Sequence, residues 1–592
     1  MYASGYLKPK SVSETMQLMK VALGDEKADL AIVNATIVNV YTGEIIENQG
    51  IGIKGPWIAY VGKNLTDAIG PDTEVIDAGG YTIIPGLIDG HTHIAWLYTT
   101  SEFLKYVIPG GTTTVVTETL EPYPASGYAG VVDFLESLKD QPIKVLATAP
   151  AMVSISKTAR GMPPEILQKL LARDDVIGLG ESYWQAVLQE PGLTLPLFEQ
   201  TLLAGKSLEG HSAGAKDKKL AAYIAAGISS CHEPIDAEQV LERLRMGLHI
   251  MIREGSVRSD LENIAKIKDR EIDFRHLILA TDGAEPHYLM EKGYMDYVVQ
   301  KAIDCGFDPV AAIQMATLNV ATHFSIDGVV GGIAPGRYAD LVLIPDVNTI
   351  DAQLVISNGK KVAQGGNLLT SPREHAFSEE SLNSVKLTRE LAASDLIIEA
   401  NRKTDTVKIR IIDMVTDLVT AEFITDWPVI NGQIKPAVDQ NIVKVAAVDR
   451  AYSPGKRYVG LIRGFGLTSG ALACSAAWDT SDIIVVGAND EDMAHAVNHI
   501  HLIQGGAVVC ENQKILVELP LPIFGMMSNL PINEIAQKLE EIKKAASNLG
   551  VPFSDPLLTL ITLTGAAIPY LRICEEGLVN LKDGQRLSLF AD

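Results

Sequence analysis

The chain has 592 residues, room for three or four domains of ordinary size or for one large barrel with companions. Hydrophobic residues make up 47% and charged residues 21%, which is globular usage and excludes a disordered chain. With 73 acidic against 50 basic side chains the formal charge is −23, so general binding to phosphate backbones is excluded while small neutral or cationic substrates stay open.

The N-terminal stretch lacks the apolar core of a signal peptide, and residues 11–24 carry apolar positions at helical spacing. From 29 to 80 short alternating runs (LAIVNATIVNVYTG, IGIKGPWIAYVG, EVIDAGG) predict strands joined by Gly- and Asn-containing turns. A matching set returns at 334–365, so one small β-domain is expected from both flanks of a long insertion. Inside the insertion lie eight strand candidates: 81–89, 112–117, 143–149, 176–180, 207–210, 228–231, 248–253 and 276–281. Helical patterns at 164–173, 217–226 and 236–246 alternate with them. Eight such units in about 250 residues predict an α/β fold, a closed (β/α)8 barrel of the TIM type.

The expected division is an N-terminal segment with the first part of the β-domain (1–80), the barrel (81–330), the rest of the β-domain (331–370) and a C-terminal α+β domain (371–592). A polar stretch, NLLTSPREHAFSEESLNS, reads as a linker into that last domain, which has helices at 490–503 and 531–548. No apolar run reaches 18 residues, so no membrane contact is expected. Five scattered cysteines without a CxxC pair exclude a Cys-based zinc cluster and a disulfide framework, and point to a reducing, cytoplasmic setting.

In such a barrel, catalytic groups project from the C-terminal ends of strands. Five of the eight expected ends carry a metal-competent side chain: His91 and His93 after the first strand, Glu181 after the fourth, His211 after the fifth, His232 after the sixth and Asp282 after the eighth. Residues i and i+2 of extended backbone face the same way, so both imidazoles of His91-Thr92-His93 can reach one ion. Imidazole and carboxylate suit zinc, iron or manganese. Glu254, at the end of the seventh strand, reads either as a substrate contact or as an ion-pair partner of Arg253 or Arg245. His495 and His499 are spaced i,i+4 but have no third partner and read as an exposed helix face. Asp296 and His287 follow the eighth strand and are candidates for the mouth.

PGLIDGHTH, the later histidines, ATD and IAPGRYADLVL resemble the amidohydrolase superfamily, and LEGHSAGAKDKKLAAYIAAGISSCHEPIDAEQVLERLRMGLHIMIREGS with SDIIVVGANDEDMAHAV and LPLPIFGMMSNLP is similar to bacterial adenine deaminases. The resemblance runs from about residue 25 to the end. It implies two divalent metal ions, manganese or iron with zinc as a further choice, held by His91, His93 and Asp282 on one side and His211 and His232 on the other, with Glu181 bridging. Asp282 and Glu181 are then the catalytic carboxylates, and a small heterocycle is the substrate. A homodimer is the expected assembly.

Departures cluster at the substrate end. His93 is followed by Ile94-Ala95-Trp96-Leu97 where the family has Ile-Glu-Ser-Ser, and Glu118-Thr119-Leu120-Glu121 stands for Asp-Pro-His-Glu. Thr281-Asp282-Gly283 replaces Thr-Asp-Asp, and Ala477-Trp478-Asp479-Thr480-Ser481-Asp482 replaces Ala-His-Asp-Ser-His-Asn. Trp96, Glu118, Glu121 and Glu254 are the expected substrate contacts. Deamination of adenine leads. A hydrolase opening a cyclic amide or ureide, or deaminating another heterocycle, is the alternative; a non-catalytic binder is disfavoured because all six candidate ligands are kept.

Overall fold

A computed structural model describes residues 10–151, 154–159, 161–400 and 404–591; the first nine residues of the expected N-terminal segment lie outside them. Eight barrel strands are present, the first shifted from the expected 81–89 because Thr82–Pro85 joins the β-domain sheet instead: β1 Leu87–Thr92, β2 Thr112–Thr117, β3 Lys144–Ala149, β4 Val176–Tyr183, β5 Ser207–His211, β6 Ser230–Cys231, β7 His249–Arg253 and β8 Leu277–Ala280. Parallel ladders run from β1 to β5 and again from β6 to β8. Single backbone bonds bridge the two seams. Ser229 donates to the Leu208 carbonyl at 2.9 Å between β5 and β6, and Asp282 donates to the His91 carbonyl at 3.0 Å between β8 and β1.

The barrel interior is layered. Ile88, Val116, Leu146, Ile177, Met251, Ile278 and Ala280 pack together as an apolar floor. Because side chains alternate along a strand, the residue two places after Val116, Met251 and Ala280 also points inward, toward the mouth. Those residues are Glu118, Arg253 and Asp282. The floor thus fixes by parity which strand-end side chains can meet.

Nine strands from both flanks of the barrel share one sheet, joined where Thr82–Pro85 pairs antiparallel with Leu341–Ile344. Its helix, Val12–Leu23, starts at Ser11, which accepts from Glu14 in a capping box. Lys144, fully buried at the start of β3, reaches Asp340 at 2.7 Å and ties the β-domain to the barrel base.

The C-terminal domain is a ten-stranded, largely antiparallel sheet with helices Asp490–Leu502 and Ile532–Asn548. Met493, Val497 and Ile500 of the first helix pack on Ala446, Val485 and Val508 of the sheet. The stretch expected as a linker is instead bound to the barrel. Asp133 accepts from Ser378 and pairs with His375 at 2.8 Å, and Gln141 exchanges hydrogen bonds with the Arg373 backbone. Its polarity reflects hydrogen bonding to a helix surface, not freedom. Among the described residues no helix is long and apolar enough to cross a membrane.

Candidate metal centre

The ladder between β1 and β2 slips between Asp89 and Thr92, and this bulge re-aims the strand end. Asp89, fully buried, holds the bulge in place: it accepts from the His91 backbone at 3.1 Å, from the Thr281 hydroxyl at 2.6 Å and from the Tyr294 hydroxyl. Thr281 precedes Asp282, so one carboxylate sets the spacing of β1 and β8. Asp282 itself has φ +56°, a left-handed conformation that aspartate tolerates better than most residues.

The structure brings His91, His93, Glu181 and Asp282 together so that one ligand atom of each lies within 4.8 Å of the others, and does the same for Glu181, His211 and His232. Glu181 is common to both groups. Its Oε1 is 3.2 Å from His91 Nε2, 3.1 Å from His93 Nε2 and 3.9 Å from His232 Nε2. Asp282 Oδ1 is 3.2 Å from His91 Nε2 and 3.4 Å from His93 Nε2. Two pockets of imidazole and carboxylate donors sharing one carboxylate suit a pair of borderline divalent cations.

Glu118 and Glu121, expected as substrate contacts, stand behind the imidazoles. Glu121 hydrogen-bonds His93 Nδ1, and Glu118 Oε1 is 3.6 Å from His91 Nδ1. Such carboxylates fix the ring orientation and raise the basicity of a ligand. Room for Glu118 comes from Gly180, where a Cβ would lie 1.9 Å from Glu118 Oε2. Trp96 is buried at the mouth, edge-on to Trp478 with ring centres 6.4 Å apart.

Glu254 is not brought to this cluster. Parity sends Arg253 inward and Glu254 outward, where its Oε1 accepts from Lys301 at 2.7 Å and Ser259 at 2.6 Å. It is an ion-pair residue, but its partner is Lys301 and not Arg253 or Arg245. Arg253 instead reaches Glu233 at 2.7 Å, Asp282 Oδ2 at 3.1 Å and Asp260 at 3.0 Å. Glu233 lies 3.1 Å from His232 Nε2 and 3.4 Å from His211 Nε2. Sequence reasoning missed Arg253 and Glu233; the available signals were inward parity for the first and adjacency to His232 for the second.

Electrostatically the centre is an excess of carboxylates in a buried space. Burial alone would raise the pKa of Asp282 and Glu181, yet the surrounding imidazoles, with Arg253 at Asp282, hold both well below the usual range. Burial works against a charged His91, but hydrogen bonding to Asp282 and Glu181 lifts its pKa to about 10. Glu233 is pulled to about 2, against burial, by Arg253 and the two histidines. Glu118 is pushed up to about 8 by burial. A field that stabilises positive charge so strongly, built from imidazole and carboxylate donors, fits two divalent cations.

The C-terminal domain closes the mouth. Leu97 donates to the Met526 carbonyl at 3.0 Å and Ser528 donates to the Leu97 carbonyl at 2.8 Å. Tyr183, at the end of β4, donates to Asp479 Oδ1 at 3.1 Å. His495 and His499 do not form an exposed face: both are half-buried, and His499 pairs with Glu518 of the neighbouring strand. His287 bonds the Ala536 carbonyl at 3.1 Å, and Asp296 caps the Tyr294 backbone, so neither belongs to the ligand-type groups.

Residues 82–186 and 197–364 match the amidohydrolase family, and residues 417–585 match the adenine deaminase C-terminal domain. Adenine deaminase of Clostridium botulinum (strain Langeland / NCTC 10281 / Type F) is 34% identical over 590 residues, covering 98% of each chain. That of Moorella thermoacetica is 36% identical over 575 residues, 96% of each chain, and that of Cenarchaeum symbiosum is 34% identical over 573 residues, 96% of this chain and 93% of its own.

Proposed function

The chain belongs to the adenine deaminase family of amidohydrolases, and from that premise we propose that it converts adenine and water to hypoxanthine and ammonia. The observation that carries the reading is the convergence of six ligand-type side chains from five strand ends on two adjoining pockets that share Glu181. His91, His93 and Asp282 would hold one ion and His211 and His232 the other, with Glu181 common to both groups. Manganese or iron is the proposed metal, with zinc also within reach of this donor set. When bound, such a pair acidifies a water molecule so that a nucleophile is available at neutral pH.

The chain's own groups do the rest. The surrounding imidazoles, joined by Arg253, keep Asp282 ionised, and Arg253 fixes its Oδ2, leaving the carboxylate to take the water's proton and deliver it to the departing amine. Glu121 orients the imidazole of His93 through Nδ1, and Glu118 lies behind that of His91. Trp96, three residues after His93 and edge-on to Trp478, would give a substrate an apolar wall, beside the clasp of Leu97 by residues 526–528. We place the enzyme in the cytoplasm, as a homodimer. Its five cysteines are all free, which suits a reducing compartment.

A second reading has support from Trp96 and Leu120, which stand where the family has polar side chains. They favour a less polar ring than adenine, one that the same centre would open at a cyclic amide or deaminate. Product analysis separates the two: hypoxanthine and ammonia from adenine, or a new carboxylate from a cyclic amide. For deamination, manganese-loaded protein should release ammonia and hypoxanthine in equal amounts, and Asp282→Asn should lower kcat by about 1000-fold. Adenine recovered intact with both metals bound would remove it as the substrate.

A further inference from the structure

His91 and His93 each have a carboxylate behind the ring, but the imidazole of His211 is held differently. Among the described residues the carboxylate within ion-pair distance of it is Glu233, at 3.4 Å from Nε2, on the side where the ligand-type groups converge. Tyr183 lies across the β4–β5 ladder from His211 and meets its ring edge-on, ring centres 4.9 Å apart at 86°. The tyrosine is in turn fixed from outside the barrel. Its hydroxyl donates to Asp479 Oδ1 at 3.1 Å, while Asp479 Oδ2 accepts from the Ala566 backbone at 2.8 Å. Asp479 is buried, sits at φ +60°, and its own carbonyl accepts from Ser154 of the barrel loop after β3. A left-handed, fully tethered aspartate between two domains has no freedom to serve as a mobile acid. It is built to hold one hydroxyl.

We propose that Asp479 is a positioning residue for the metal centre: through the Tyr183 hydroxyl it fixes the ring against which His211 packs, so the C-terminal domain steadies a ligand supplied by the barrel. The proposal rests on the two-metal reading above but not on adenine being the substrate. Asp479 acts for His211 as Glu121 acts for His93, with an aromatic ring interposed. Loss of either member of the chain lets the imidazole turn, and orientation of a ligand by its supporting partners is commonly worth 10- to 100-fold in metal affinity.

The test is a manganese titration of the full chain, with free ion read by electron paramagnetic resonance and bound metal by mass spectrometry, for wild type, Tyr183→Phe, Asp479→Asn and the double variant. Each single change should weaken one of the two sites about 10-fold, and the double variant should lose no more than either single, because both break one connection. Wild-type affinity in both singles, or losses that multiply to about 100-fold in the double variant, would overturn the proposal. If Asp479→Asn does not fold, Tyr183→Phe, which removes one oxygen from an otherwise intact ring, decides by its affinity alone. A wild-type chain that binds fewer than two manganese ions overturns the two-metal reading and this proposal with it. Two ions bound without adenine turnover removes only the substrate assignment.

Discussion

At His93 one carboxylate, Glu121, bonds Nδ1 while Nε2 faces Glu181 and Asp282. Glu121→Gln keeps the shape but withdraws the charge from Nδ1, and should lower manganese affinity 10- to 100-fold while leaving the fold intact, as measured by titration beside circular dichroism. Unchanged affinity would return Glu121 to the substrate side. The six ligand-type residues were legible because the barrel rule says where to look and because His-x-His, Glu and Asp stand at strand ends. Glu254 was misread by a single position: REG puts a cation and an anion side by side, and only the inward parity of Met251 decides that Arg253 enters the centre. Asp479 was noted only as the residue beside Trp478, since nothing local announces that a residue some 300 positions later will meet Tyr183.

Two elements carry consequences that can be measured separately from catalysis. β4 needs glycine at 180 because Glu118 occupies the volume a Cβ would take. Gly180→Ala should therefore displace Glu118, cost about 1–3 kcal/mol as overpacking does, and lower metal content together with thermal stability. On the other side of β7, Lys301→Met leaves the buried Glu254 without its cation and should cost about 3 kcal/mol in denaturant unfolding. Because Glu254 faces away from the cluster, metal affinity in that variant should stay at the wild-type value; a parallel loss of metal would place Glu254 back in the site. At this scale most of the expected helices and strands lie within two or three residues of the observed ones, since apolar periodicity and caps such as Ser11 act locally; the exception is the first strand, where 81–89 is divided between Thr82–Pro85 of the composite sheet and Leu87–Thr92 of the barrel. The stretch that binds Asp133 was not readable, because serines and a histidine that bond a neighbouring helix look in sequence like the same residues in water.

Across the whole molecule, barrel and C-terminal domain share apolar packing that runs from Ile94 and Phe103 to Phe524 and Met527. They also meet through acids. Glu285, after β8, lies beside Asp555 of the C-terminal domain and is pushed up to about 8 by burial and then by that neighbour. A carboxyl whose folded pKa is raised binds its proton more tightly in the native state. Its burial costs nothing below the ordinary carboxylate range near pH 4.5, and stability falls as pH rises from there to about 8. Glu285→Gln should thus raise Tm by a few degrees at pH 8.5 and change it little at pH 4.5 in thermal scans. A gain that is equal at both pH values would contradict the assignment. The composite sheet, the barrel and the separate last domain were all visible in the order of strand and helix patterns. What stayed hidden was that the last domain clasps the mouth, because contacts between Leu97 and residues 526–528 leave no periodic trace.

The most direct measurement is adenine turnover as a function of manganese added to metal-depleted protein, with hypoxanthine, ammonia and bound metal quantified in the same samples. The expected result is activity that rises to a plateau at two ions per chain, with one hypoxanthine and one ammonia formed for each adenine lost. Two ions bound per chain with adenine untouched would contradict adenine deamination.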